Sequence, residues 1–392
     1  MSSEEAAAAA AAGMRHQPTQ RAVTVGVIAD PGVPCELAKS LAGRLAEDLA
    51  AHVDPDVTWR VRVRGETLPL DSDGHLPFQH HTQRLLQDND WDYVVCMTEL
   101  PRRTGTRRAL LFEVDRSLCA ALVSVPAMGA VRLRTHARWT LVRVLHELTD
   151  TIPQSGYGTG VDGDGHRRRG RVATEVLSPV RELPGEPVTQ AALSGLRGQL
   201  RLLTGMVRVN KPWRLVPSLS SAIAAAVATA AFGVFYSSIW VMADAAGPLR
   251  LTLVTVFAVV AMVAWLIAYN GLWERRGPGR DKQRAALYNA ATVVTLTIGV
   301  LCMYVLLFAF TLVASLVVIE PGYLSEQLRH AASLVDYLSL AWLASSMGTV
   351  AGALGSTLEG EDAVRRATYG RRELQRRARR EDDDSGAGDG AQ

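Results

Sequence analysis

Three residues near the middle of the chain have the types and the spacing of a metal-dependent hydrolytic site. His146, Glu147 and Asp150 form a His-Glu-x-x-Asp run within the segment 135–151, whose apolar residues recur with the period of a helix. Residues four apart share a helix face, so His146 and Asp150 could hold one metal ion while Glu147 acted as a base. We expect no cofactor, and zinc at this run is the alternative.

The run resembles the His-Glu-x-x-His helix of zinc peptidases, and the strands expected before it are similar in order to the metzincin type. The chain departs from that motif, because Asp150 replaces the second histidine and the downstream glycine and third ligand are missing. The other interpretation is structural: Arg143 and Glu147 pair at i and i+4 on an exposed face, and His146 is half buried. We favour the structural interpretation because short motifs recur by chance.

A second set of polar residues follows two predicted strands. Asp30 and Cys35 come after the first strand, and Thr98 and Glu99 come after the third. Ligands of α/β sheets collect beyond the carboxyl ends of the strands, and the dipole of a helix can lower the pKa of a thiol in its first turn. Asp30, Cys35 and Glu99 are therefore candidate cofactor-binding residues, and the alternative is ordinary turn and cap chemistry. No glycine-rich phosphate loop for a nucleotide occurs in the chain.

The segment 21–180 alternates between strand and helix patterns. Short apolar or alternating runs predict strands, and longer runs with four-residue apolar spacing predict helices. The predicted strands are 22–29, 57–64, 91–97, 109–114 and 120–125; the helices are 36–52 and 135–151, with a shorter one around Gln83. The alternation predicts an N-terminal α/β domain with a mixed sheet.

Four apolar runs follow, each at least as long as the roughly twenty residues that a helix needs to cross a bilayer. They are 218–242, 249–273, 289–319 and 337–357. Arginine and lysine are concentrated before the first run, between the second and third, and after the fourth, so the positive-inside rule places both termini in the cytoplasm. The sequence thus predicts a four-span α-helical bundle, 217–358, in the cell membrane.

The apolar runs place no acidic or basic residue inside the bilayer for ion-coupled transport, since Arg250 belongs to an outer end. Asp244, Glu320 and Asp336 lie at their expected outer ends, whereas a coupled transporter keeps such a group inside the bilayer. The fourth run carries small residues at four-residue steps, and this spacing lets two helix backbones approach closely, within one bundle or between protomers. These helix-packing residues are Ala344, Gly348, Gly352 and Ser356.

Three further segments connect or flank these units. We expect residues 1–20 to be a disordered leader and 359–392 to be a basic, then acidic cytoplasmic tail, whose part 365–380 lies on anionic lipid as a helix. Residues 181–216 form a juxtamembrane linker and a helix that begins near Val188. Its apolar stripe could be a dimer seam, a surface on the α/β domain or a face on the membrane. The stripe consists of Leu193, Leu196, Leu200, Leu203 and Val207.

Charge and cysteine content restrict the partners. The net charge of +3 is too small to indicate nucleic acid. The four cysteines show no paired spacing, which is typical of reduced thiols in the cytoplasm. The partners that we expect are the lipid bilayer and either further copies of the chain or another membrane protein.

Two stretches carry a family resemblance. The run from Trp91 to Val95 and the segment 338–356, which begins Leu-Ser-Leu-Ala-Trp, resemble a group of uncharacterised multi-pass membrane proteins of high-GC Gram-positive bacteria. The resemblance implies location and architecture, and no activity. We expect a membrane-anchored module for binding, regulation or scaffolding, rather than an enzyme. The alternatives are a membrane-tethered, degenerate zinc-type hydrolase and a small transporter or channel subunit.

Overall fold

The computed structural model describes residues 21–67, 78–103, 109–149, 180–183, 188–193, 195–274 and 282–358, with residues 364, 368, 369, 374 and 375. The predicted leader, 1–20, and most of the predicted tail, 359–392, lie outside these residues. The described chain forms an N-terminal mixed sheet with helices on both faces, followed by a helical part. This division confirms the predicted fold class at that level.

The sheet has eight strands within the described ranges. They are β1 (Arg21–Ala29), β2 (Val57–Gly65), β3 (Tyr93–Thr98), β4 (Arg102–Arg103), β5 (Ala109–Asp115), β6 (Ala120–Ser124), β7 (Val180–Leu183) and β8 (Val188–Leu193). The order across the sheet is β2-β1-β3-β6-β5-β8-β7, with β4 paired to β5. The pairs among β2, β1, β3 and β6 are parallel, and the pairs that β5 forms with β4, β6 and β8 are antiparallel, as is β7 with β8.

Helices cover both faces of the parallel half, because successive side chains of a strand point to opposite faces. Helices α1 (Val33–His52) and α3 (Leu133–Thr149) pack on one face, and α2 (Phe78–Asn89) lies on the other. The four-residue leucine repeat of α1 is buried against the first face. Its members are Leu37, Leu41, Leu45 and Leu49.

The chain from Val188 to Leu193 is a strand and not the start of a helix, which corrects the expectation for this segment. β8 pairs with β5 and with β7, and it buries Ala191 and Leu193 in the core. Pairing with two neighbours overrides the helical spacing of the leucines. Helix α4 (Gly195–Asn210) begins only after this strand, and the sheet extends beyond residue 180, where the α/β domain was expected to end.

The helical part contains three helices long and apolar enough to cross a membrane within the described residues. They are α8 (Pro248–Tyr269), the long α9 (Lys282–Val318) and α11 (Leu334–Gly355). The total is up to four if a pair of helices bent by 57° counts as one span, Gly195–Ser218 with Ser220–Phe235. These helices support a multi-pass membrane protein on length and composition.

The first predicted span is broken, because the run 218–242 divides into α6 (Ser220–Phe235) and α7 (Ser237–Ala245). Tyr236 between them has extended backbone angles, φ −103° and ψ 110°. The Trp240 indole N–H donates to the Gly233 carbonyl at 3.1 Å and satisfies an acceptor near the break. Helix α6 alone, with 16 residues, extends for about 24 Å and is shorter than the hydrocarbon core.

Large apolar side chains point outward from the helical part, as expected for a surface that contacts lipid. Helix α8 exposes Leu253 and Phe257, and α9 exposes Val305 and Phe310. At one end of the bundle, a short α5 (Leu215–Ser218) connects α4 to α6; at the other end, α10 (Pro321–Leu328) lies between α9 and α11.

Helix α9 is longer than a bilayer requires. Its 37 residues extend for about 55 Å, compared with about 30 Å of hydrocarbon. The helix begins at Lys282 rather than near 289, and its first turns leave the bundle and pack on the α/β domain. There Tyr288 and Ala291 are buried in the same apolar cluster as β1, β3 and α1.

Candidate functional site

The residues at the carboxyl ends of β1 and β3 form a buried cluster of hydrogen-bonded polar groups. The Asp30 carboxylate accepts hydrogen bonds from the Thr98 hydroxyl at 2.7 Å and from the Glu99 N–H at 3.1 Å. The Thr98 Oγ1 also accepts from the Leu100 N–H at 3.2 Å. Asp30 therefore holds the end of the neighbouring strand, and the structure brings Asp30, Thr98 and Glu99 together.

Cys35 lies in the first turn of α1 beside this polar cluster. Its N–H donates to the Asp30 carbonyl at 3.1 Å, and its sulfur lies next to Gly65 of β2, where an added Cβ would come within 2.9 Å of Sγ. Gly32, with a φ of 110°, turns the chain from β1 into α1, and a Cβ there would lie 3.8 Å from a Glu99 carboxylate oxygen. Cys35 and Glu99 thus border the same strand ends.

Two other groups near this edge have structural surroundings. Burial raises the pKa of the Cys96 thiol, and the charges of Asp30 and Glu66 act in the same direction, so Cys96 stays protonated. Arg102 donates to the Glu113 carboxylate at 3.0 Å across the β4–β5 pair. Burial of Cys96 and the ion pair of Arg102 therefore give both side chains a structural role in the sheet.

Helices α4 and α9 cover the edge of the sheet at which α/β proteins usually bind ligands. The segment from Glu99 to Pro101, the end of α4, the beginning of α9 and Tyr369 line a cavity of about 20 Å³, roughly enough for one water molecule. Asn210 of α4 donates to the Thr295 hydroxyl of α9 at 3.1 Å. We name this contact between the sheet edge and the two helices the junction.

Part of the C-terminal tail packs against the helical part near the junction. Tyr369 and Val364 are buried against the apolar cluster that contains Met262 and Leu266. The Tyr369 hydroxyl donates to the Leu272 carbonyl at 2.8 Å, and it lies 3.3 Å from the Thr292 hydroxyl. Both tail residues therefore contact the protein, and one of them, Tyr369, belongs to the segment 365–380 that the sequence predicts to lie on lipid.

The residues of the His-Glu-x-x-Asp run do not present a free base. Glu147 Oε2 accepts from the Arg116 guanidinium at 2.6 Å, and a second N–H of Arg116 donates to the Glu147 carbonyl at 3.0 Å. Arg116 also donates to the Thr189 hydroxyl of β8 at 2.9 Å, so it ties the end of α3 to the sheet. His146 is half buried on α3, and Asp150 lies outside the described residues.

The small residues of α11 pack against α6 of the same chain. A Cβ on Gly348 would lie 2.6 Å from the Ala226 carbonyl oxygen, and one on Gly352 would lie 3.0 Å from that of Ala222. Ala344 contacts Gly233 in the same way, and Ser356 is fully buried at the end of the stripe. The close approach of backbones that the spacing predicts is therefore made within the chain.

A cluster of neutral polar groups connects three of the long helices. The Trp342 indole N–H donates to the Thr255 hydroxyl at 2.7 Å, and the Ser346 hydroxyl lies 2.9 Å from the same oxygen. Tyr304 of α9 joins the cluster at 3.2 Å from Ser346. Because these groups satisfy one another, they act as contacts between α8, α9 and α11.

Comparisons with known proteins add no identity to this architecture, and the resemblance noted in the sequence stays a prediction. No protein-family model matches the chain, and neither a curated protein nor a solved structure is similar to it.

Proposed function

We propose that this chain is a multi-pass membrane protein whose α/β domain is anchored at the membrane for binding, regulation or scaffolding. One observation carries the proposal: α9 continues from the bundle to the α/β domain, where Tyr288 and Ala291 are buried in the apolar cluster that also contains Met206 of α4 and residues of the sheet. A helix packed in both units is the element through which a displacement of one unit would reach the other. A partner bound to the α/β domain would thus affect the bundle, and a partner bound to the bundle would affect the α/β domain.

The residue types at the start of the bundle support a position near a membrane surface. Lys211 donates to Glu36 of α1 at 3.2 Å, and Trp213, which follows it, is exposed at the start of the bundle. Aromatic rings and basic side chains are typical of the interface between lipid and cytoplasm. We propose on the charge asymmetry that the α/β domain and both termini are cytoplasmic.

The exposed thiol of Cys119 tests this orientation. In intact cells, a thiol reagent that cannot cross the membrane should leave Cys119 unlabelled, and labelling should appear after permeabilisation. A Cys119→Ser variant identifies the signal of this residue. Labelling of Cys119 before permeabilisation would contradict the cytoplasmic placement.

The function itself is tested by native mass spectrometry of the full-length protein, extracted gently from its own membrane after a carbonate wash. We expect the protein to remain in the membrane fraction and to retain a second protein, a small ligand or a defined number of its own copies. The His146→Ala variant should retain the same species. Hydrolytic turnover or bound zinc that disappears in His146→Ala would overturn the proposal and favour a tethered hydrolase.

A further inference from the structure

Three side chains from separate segments converge at the end of the bundle farthest from the α/β domain. Asp244 lies at the end of α7, His330 in the loop after α10, and Asp336 in the first turn of α11. One nitrogen and two carboxylate oxygens of these residues all lie within 4.8 Å of one another. The shortest contact joins His330 Nε2 and Asp244 Oδ1 at 3.2 Å.

The local structure fixes two of the three side chains. Arg329, with a left-handed φ of 62°, ends α10 and directs the chain into His330. Asp336 belongs to a capping box, in which its Oδ2 accepts from the Ser333 N–H at 2.7 Å and from the Ser333 hydroxyl at 2.9 Å. A carboxylate has lone pairs beyond the two used here, so Asp336 can also ligate an ion.

The imidazole of His330 faces an acceptor on each side. Nδ1 lies 3.1 Å from the Ala331 carbonyl, and in the neutral tautomer that carries the proton on Nδ1 this N–H donates to that carbonyl. Nε2 then turns a lone pair toward the Asp244 carboxylate, and two lone pairs at this distance repel. A metal ion between the two atoms removes this repulsion; without an ion, the other tautomer or a second proton lets an Nε2–H donate to Asp244.

The charge of the cluster favours the metal ion. Two carboxylates exceed the charge of a protonated imidazole by one, and like charges this close repel each other. Arg250 and Arg329 lie near the cluster in sequence, yet within the described ranges neither forms an ion pair with Asp244 or Asp336. A divalent cation balances both carboxylates at once.

We propose that Asp244, His330 and Asp336 bind a divalent transition cation, and that zinc fits them best. Zinc takes imidazole nitrogen and carboxylate oxygen at about 2.0–2.2 Å, whereas calcium and magnesium prefer oxygen alone. A tetrahedral ion with such bonds holds its ligand atoms about 3.3 Å apart, so small side-chain rotations close the set. The His330 and Asp244 side chains are 43% and 36% exposed, which leaves room for water as the fourth ligand.

The ion would add a polar link between segments that already pack on one another through Trp240, Leu324 and Tyr337. It links the end of the broken first run, at α7, to the start of α11 and to the loop after α10. The site is therefore a metal-dependent clamp at the end of the bundle, independent of the function proposed for the α/β domain.

The experiment is zinc titration of the full-length protein in lipid nanodiscs after removal of metal with a chelator. We expect saturable binding and a rise in melting temperature with zinc. His330→Ala and the nearly isosteric Asp244→Asn should each weaken zinc binding at least tenfold. Glu326→Gln, which removes an exposed carboxylate of the neighbouring α10, should bind zinc like the unmodified protein, and so should His146→Ala.

Two results would overturn the proposal. The first is zinc binding that both His330→Ala and Asp244→Asn leave unchanged, which would place the ion elsewhere. The second is no zinc binding by the unmodified protein, in which case a proton holds the His330–Asp244 contact. Size-exclusion profiles of the variants in detergent establish that each keeps its fold.

Discussion

Two arginines of the α/β domain differ in how their charge is compensated. Arg138 of α3 forms a bidentate pair with Asp48 of α1, and the Asp48 side chain is almost fully buried. Arg201 of α4 places Nε and Nη2 in the interior, where no described residue forms a hydrogen bond with them. A buried carboxylate that loses its partner costs free energy, whereas an unpartnered buried guanidinium already incurs that cost.

The same substitution at these two positions should therefore have different effects on stability. Arg138→Met should lower the free energy of unfolding by about 2–3 kcal/mol, because Asp48 is left buried and unpaired. Arg201→Met should leave it unchanged or raise it by about 1 kcal/mol. Amide hydrogen exchange in β1 and β3 of the full-length protein measures both changes. A loss of stability in Arg201→Met would show that Arg201 has a partner, such as a bound anion.

His136 gives the α/β domain a pH dependence of known sign. Burial lowers the pKa of His136, and the charge of Arg201 lowers it further. The unfolded chain therefore binds a proton near pH 6.5, before the folded chain does. Stability is complete above this pH and is lost as the pH falls through about 6.5 toward the lower folded pKa.

Replacement of His136 by glutamine should flatten this dependence. Amide exchange in α3 should accelerate less steeply between about pH 7 and pH 5.5 in His136→Gln than in the unmodified protein. At pH 8 the pH-dependent part of the difference should vanish. Equal slopes for the two proteins across this range would contradict the assignment.

At the level of elements, periodicity predicted most of the sheet and its helices. The predicted strand 22–29 and helix 36–52 agree closely with β1 and α1. Both were predictable because β1 is a short apolar run and α1 repeats leucine every four residues, which are local patterns. Sequence could not predict β8, whose partners lie far along the chain, or the break at Tyr236 within an unbroken apolar run. The cluster at His330 also escaped prediction, since only the fold brings its three segments together.

The small-residue contact between α6 and α11 is a test of backbone packing. Gly348→Ala adds one methyl group, which would lie 2.6 Å from the Ala226 carbonyl oxygen. Alanine favours a helix over glycine by about 1 kcal/mol, but overpacking costs about 1–3 kcal/mol. We expect the clash to prevail and to lower the temperature at which the solubilised protein loses its size-exclusion peak. Gly247→Ala, where nothing lies within 4 Å of the added methyl, should leave that temperature almost unchanged.

The whole molecule depends on α9 as the element common to its two parts. Tyr288 is buried beside the sheet core, although it belongs to the helix that continues into the bundle. Removal of a buried aromatic ring costs about 3–5 kcal/mol of packing. If the two parts share one core, Tyr288→Ala should accelerate amide exchange in β1 and β3 as well as in the first turns of α9.

A matched substitution on the same helix separates this coupling from damage to α9. Leu301 points outward, with 43% of its surface exposed, so Leu301→Ala should change exchange in neither the sheet nor the start of α9. Acceleration confined to α9 in Tyr288→Ala would mean that the α/β domain is stable without the junction. The binding of a partner to the α/β domain would then have no effect on the bundle. Acceleration in both β1 and β3 would show that the long helix makes the sheet and the bundle one cooperative unit.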